Sequence, residues 1–154
     1  MRFIVRSALI FAAVVIAGVG YLRSLPVAIV AVGAPVRQDD FRYTVTRVLK
    51  HRTTDTVSYV VTIRVDNDAK QVSYVWRDDS AYVVDSVGHH YFARNSASPG
   101  RRDRQPISAG DSASYDLTFD VPAPAVGPML RYSNGILMGD VFDLGAYTRA
   151  AVPL

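Results

Sequence analysis

From Phe41 onward the chain alternates apolar and polar positions with a period of two. Phe41, Tyr43 and Val45 are interleaved with Arg42, Thr44 and Thr46, as a strand with one dry and one wet face requires. The segment Val57 to Val65 repeats the pattern, with Tyr59, Val61, Ile63 and Val65 set against Ser58, Val60, Thr62 and Arg64, and Asp66-Asn67-Asp68 is expected to close it as a turn. The clearest alternation runs over Ser112–Val121. There Ala113, Tyr115, Leu117, Phe119 and Val121 face one way and Ser114, Asp116, Thr118 and Asp120 the other, between Gly110-Asp111 and Pro122.

Shorter strands are expected at Gln71–Trp76, Ala81–Asp85 and His89–Arg94, separated by Asp78-Asp79-Ser80 and by Ser86-Val87-Gly88. The second and third form a hairpin whose turn ends in Gly88. Residues 95–104, NSASPGRRDR, read as an exposed loop, and Met129–Tyr132 and Gly139–Phe142 as final strands flanking an Asn134-Gly135 turn. No helical stripe of useful length appears after residue 40. Seven or eight short strands without helices predict an all-β fold, an immunoglobulin-like antiparallel β-sandwich over 41–154, with barrel closure the alternative. Trp76, the single tryptophan, is expected to fill the core of that sandwich.

The amino-terminal pattern is different. Residues 7–22, SALIFAAVVIAGVGYL, are 16 uncharged residues preceded by Arg2 and Arg6 and followed by Arg23 and Pro26. As a helix they would be about 24 Å long. That is a little short for a comfortable span and a little long for the apolar part of a signal peptide. The expectation is one amino-terminal hydrophobic helix within residues 1–23, an uncleaved anchor with its start inside the cell, and a body outside the cytoplasm. Release after cleavage is the alternative, and a buried helix of a soluble domain is a weaker one. Residues 24–40 then form a linker and first edge strand.

Composition sharpens this picture. Among 154 residues there is no Cys, which excludes a disulfide scaffold and a lipid-modified amino-terminal cysteine; attachment then rests on residues 7–22. Three of the 17 basic residues, Arg2, Arg6 and Arg23, precede residue 24, whereas all 14 acids are Asp and start at Asp39, so the body holds 14 of each sign. A body without net positive charge is not the footprint of a nucleic-acid binder.

Several of these pieces together resemble a known family. They are Gly33 with Asp40-Phe41-Arg42-Tyr43-Thr44-Val45, the strand YVVTIRVDN from Tyr59 to Asn67, Asp85-x-x-Gly88-x-x-Tyr91, Gly110, and Phe119-Asp120-Val121-Pro122. The sequence is similar over residues 33–122 to the uncharacterised immunoglobulin-like domain of exported bacterial lipoproteins and membrane-anchored proteins, often mislabelled as telomeric repeat-binding factors. The resemblance implies an extracytoplasmic sandwich without an established enzyme activity, and it brings no catalytic residues. This chain departs from many members in lacking the lipid-bearing Cys. The nuclear label carries no weight for a body without a basic stripe behind an export-type segment.

Candidate chemistry is sparse. His89 and His90 with Asp85 suggest a metal cluster, but adjacent strand residues point to opposite faces and His51 is distant, so a hairpin end is the expected role. Asp66-Asn67-Asp68 and Asp78-Asp79 carry oxygen ligands of the kind calcium takes, without a spacing that gathers six; they are expected to be solvated turns. No Gly-x-Ser-x-Gly elbow, paired-carboxylate pattern or phosphate loop is present. Arg101-Arg102-Asp103-Arg104 fits a solvated loop or a contact with anionic lipid or an acidic partner. No catalytic, cofactor or metal residue is assigned, and no cofactor is expected. The expected function is that of a non-catalytic module, anchored in the membrane through residues 7–22 and contacting a protein or envelope component by its loops or an open sheet edge. The alternatives are an envelope hydrolase with a site at a loop end, and an accessory subunit whose Ala12, Ala13, Ala17, Gly18 and Gly20 let its helix approach others closely.

Overall fold

The computed structural model describes residues 27–77, 80–94, 105–132 and 150–154. The segment 7–22, the Asp78-Asp79 pair, the loop 95–104 and the strand expected at Gly139–Phe142 with its Asn134-Gly135 turn lie outside the described residues. Among the described residues no helix is long and apolar enough to cross a membrane.

The described residues form two sheets. One has four strands: β2 (Pro35–Gln38), β3 (Phe41–Arg52), β4 (Thr56–Asn67) and β7 (Ser112–Pro122), in the order β2-β3-β4-β7. The other has five: β1 (Ala28–Ile29), β5 (Ala81–Val84), β6 (His90–Phe92), β8 (Met129–Tyr132) and β9 (Ala150–Pro153), in the order β1-β9-β8-β5-β6. Every pairing is antiparallel except the short β1–β9 contact, which is parallel. The sheets are separate layers, a sandwich and not a closed barrel.

Alternation builds the core. On β4, Val57, Tyr59, Val61, Ile63 and Val65 are all buried; on β7, Leu117, Phe119 and Val121 are. They meet Ala81, Val83, Leu130 and Val152 of the other sheet in one cluster. Trp76 fills it as expected, 1% exposed, stacked on Tyr115 at 5.6 Å between ring centres and tilted against Tyr43 at 5.9 Å.

Three expectations are corrected. Gln71–Trp76 is not a strand: only Tyr74 pairs, in an isolated bridge with Ile107, and the neighbouring Val72 and Val75 are more than half exposed. Asp66-Asn67-Asp68 is a solvated turn only at Asp68, because β4 continues through Asn67, which is 1% exposed, and Asp66 is 9% exposed. Residues 27–40 are more than a linker with one edge strand, since β1 and β2 supply an edge to each sheet.

β3 is longer than its alternation suggested. The pairing shifts by one residue between Val45 and Arg47, so a bulge at Thr46 moves the inward positions from Tyr43 and Val45 to Val48 and Lys50. Lys50 lies in register with Tyr59, its ammonium 5.1 Å from the ring centre.

Candidate functional site

The β5–β6 hairpin holds the most convergent cluster of polar groups among the described residues. Asp85 follows β5 directly and is 8% exposed. Its Oδ1 accepts from the backbone N–H of Val87 at 3.0 Å and of His89 at 2.9 Å, an Asx-type arrangement that shapes the turn. Gly88 completes the turn at a φ of 92°, its N–H donating to the Asp85 carbonyl at 3.1 Å; this left-handed backbone is why glycine stands there. Asp85 Oδ2 takes the Tyr91 hydroxyl at 2.9 Å and lies 3.1 Å from His89 Nδ1.

Electrostatics follow from this geometry. Burial pushes the Asp85 pKa upward, but donation from the His89 backbone, the Tyr91 hydroxyl, the His89 ring and the Val87 backbone outweighs it, and the pKa falls from 3.8 to about 2. Tyr91 moves the opposite way: burial first, then its bond to the carboxylate, raises its pKa. The carboxylate is therefore ionised throughout the physiological range.

The two imidazoles separate as adjacent strand residues do. His89 faces Asp85, while His90 packs on Tyr82 with ring centres 4.7 Å apart on the outer face of the five-stranded sheet. No group of three or more metal-ligating side chains occurs among the described residues.

Beside the hairpin runs a groove of about 300 Å³. Its hairpin wall is Asp85, Ser86, Val87, His89 and Tyr91; its other wall is Pro122, Pro124, Ala125 and Val126 of the β7–β8 connection. The walls are tied by the Ser86 N–H donating to the Val126 carbonyl at 2.9 Å. Val87 and Val126 stand at the rim, 75% and 68% exposed. Asp, His and Ser thus line one concavity, but the His89 ring bonds to Asp85 and, among the described residues, no hydrogen bond joins it to the Ser86 hydroxyl. Sequence reasoning reached Asp85 and the turn through Asp85-x-x-Gly88. It missed Tyr91 as a partner of the carboxylate, and the far wall, which lies more than thirty residues downstream.

The outer face of the four-stranded sheet carries ion pairs. Asp66 is held by Arg64 at 2.9 Å and Arg42 at 3.5 Å, and Asp120 by Ser58 at 2.6 Å and by Arg94. The Arg94 guanidinium, then the Ser58 hydroxyl, keep the Asp120 pKa below its usual range. The arginines of these pairs reach solvent while the Asp66 carboxylate beneath them is buried, and pairs so exposed contribute little.

No protein-family model matches the sequence, and no curated protein matches it. Solved structures do. The chain is similar in fold to the secreted protein MPT63 of Mycobacterium tuberculosis, with a TM-score of 0.57 and 14% identity, over 85% of this chain and 100% of that one. It is also similar to an uncharacterised β-sandwich protein of Clostridium difficile 630, with a TM-score of 0.54 and 9% identity over 84% of this chain and 95% of that one. A third likeness is to the yjhA protein of Bacillus subtilis, with a TM-score of 0.51 and 15% identity over 80% of this chain and 98% of that one. At these identities the shared property is the β-sandwich fold.

Proposed function

We propose that this chain is an extracytoplasmic, immunoglobulin-like β-sandwich, held at the membrane by residues 7–22, that works as a non-catalytic module contacting a protein or envelope component. The observation that carries the reading is the Asp85 hairpin. All four donors on its carboxylate serve to hold the turn and the apolar groove beside it, so the cluster is built to present a surface. The apolar run behind two arginines supports attachment, and the secreted MPT63 of similar fold supports an extracytoplasmic body.

Two measurements test this. Alkaline extraction of membranes with amino-terminal sequencing should find an intact chain in the membrane; a soluble protein beginning after residue 23 would replace anchoring by release. A photo-crosslinking residue placed at Val126 should capture a discrete partner in intact cells, and capture of nothing would remove the groove as the contact surface.

One observation favours the hydrolase reading: His89, with Nδ1 on an ionised carboxylate, has the orientation of a general base. Ester hydrolysis by the purified chain that disappears in His89→Gln would establish that alternative.

A further inference from the structure

We propose that β7 is a docking edge, where an extended, basic polypeptide segment adds to the four-stranded sheet as a further strand. The inference rests on the interaction-module reading and names its surface.

The ladder determines which backbone groups are available. Just before β7, the Asn67 N–H donates to the Asp111 carbonyl and the Gly110 N–H to the Asn67 carbonyl; just after it, the Ala123 N–H donates to the Asp55 carbonyl. Between these points the register runs unbroken from Asp66 opposite Ser112 to Thr56 opposite Pro122. Hydrogen-bonded residues recur at every second position of an antiparallel ladder. Ala113, Tyr115, Leu117, Phe119 and Val121 therefore bond to β4. Ser112, Ser114, Asp116, Thr118 and Asp120 aim their N–H and C=O groups away from it, and the first three are exposed.

The other sheet edges are blunted. β1 has two residues, β6 three, and β2 four beginning with Pro35. β7 has 11, with no register shift and no proline before its last residue. Natural sandwiches shorten, bulge or interrupt their edges to prevent strand addition; among the described residues β7 shows none of these devices, with β6 beside it and Arg94 reaching it at Asp120.

Charge selects the occupant. Residues 105–126 contain Asp111, Asp116 and Asp120 and no Lys or Arg, so a second copy pairing along β7 would bring acid to acid. Asp120 is already engaged by Arg94 and Ser58, which closes that end. The Asp116 side chain is 58% exposed, with Thr62 at 2.6 Å and Arg47 only at 3.9 Å. Along Ser112–Thr118 the fitting partner is a strand with Lys or Arg on its outward face and apolar residues alternating toward half-buried Ala113 and Tyr115.

The test uses the full chain in detergent micelles with a short peptide of alternating lysine and valine as the probe. Without peptide, the amides of Ser114, Asp116 and Thr118 should exchange fast while those of Tyr115 and Leu117 are protected. Saturating peptide should slow the first set at least about tenfold. Ser114→Pro and Thr118→Pro delete an N–H that β4 does not use, so each should weaken binding about tenfold without moving the unfolding midpoint. Asp116→Lys should transfer the preference to a glutamate–valine peptide. Amides of Ser114, Asp116 and Thr118 already protected without peptide, or self-association of the chain through β7, would overturn the inference. Binding that perturbs only His89 and Val126 would also overturn it, while leaving the module reading in place.

Discussion

The Asn67 side-chain amide donates to the Ile107 carbonyl at 2.9 Å, joining the end of β4 to a segment 40 residues later in the chain. The same amide donates to the Val72 carbonyl at 2.7 Å, and its oxygen accepts from the Ala69 N–H at 3.0 Å. Its backbone bonds to Asp111 and Gly110. A buried residue so placed satisfies the irregular segment that replaces the expected strand at Gln71–Trp76. Asn67→Asp keeps the volume but loses both donors, leaving two buried carbonyls facing a carboxylate. It should cost at least about 2 kcal/mol and more than Asn67→Ala, as measured by urea unfolding followed through Trp76 fluorescence. A smaller cost for Asp than for Ala would show that the bonds to Val72 and Ile107 are not what holds this corner.

Trp76 contributes volume more than hydrogen bonding. It is 1% exposed, and its Nε1 finds no hydrogen-bond partner among the described residues. An unpaired buried donor opposes folding, so the indole stabilises through its contacts with Tyr43 and Tyr115. Trp76→Ala should therefore cost about 3–5 kcal/mol, and Trp76→Phe, which removes the orphan donor with part of the ring system, much less. Thermal unfolding followed by circular dichroism decides it; equal losses in the two variants would mean that Nε1 has a partner after all.

The contrast between these residues marks what a sequence pattern reveals. β4 and β7 are legible because their buried apolar residues keep one parity from end to end, and a period of two needs nothing else. The second half of β3 was hidden because the bulge at Thr46 reverses the inward parity midway. β9 was missed because Ala150, Ala151 and Val152 are buried on both faces and offer no alternation. Asn67 looks like a turn residue from sequence because a polar residue after a strand ordinarily meets water, and its partner at Ile107 is invisible to local reading. For the same reason the hairpin wall of the groove could be drawn from Asp85-x-x-Gly88, but not the Pro122–Val126 wall that faces it.

The hydrogen bonds to Asp85 make stability pH-dependent in a defined direction. Its pKa is lowered on folding, from 3.8 to about 2, so the ionised form is preferred in the folded state. A depressed carboxylate stabilises above its unfolded pKa, and that contribution disappears as pH falls through the folded one. The wild-type chain should be more stable than Asp85→Asn at neutral pH, and the gap should close between pH 3.8 and about 2. Asp120, also depressed, is common to both proteins and cancels in the comparison. Unfolding midpoints at a series of pH values test this, and a gap that stays constant down to pH 2 would assign the difference to shape instead of charge.

The same carboxylate fixes the proton on His89. An ionised Asp85 can only accept, so the 3.1 Å contact requires the proton of a neutral imidazole to sit on Nδ1, leaving Nε2 as a lone pair. The ring is largely exposed, with a side chain 72% accessible, so without this bond nothing in the fold would hold the proton on Nδ1. Nitrogen-15 shifts of the His89 ring at a pH where it is neutral should show protonated Nδ1 and bare Nε2. In Asp85→Ala the two nitrogens should move toward a mixed population, while the His90 ring, packed at a tilt against Tyr82 of the neighbouring strand, keeps its shifts. Predominant Nε2 protonation in the wild type would break the link between carboxylate and ring. It would also remove the general-base orientation on which the hydrolase alternative depends.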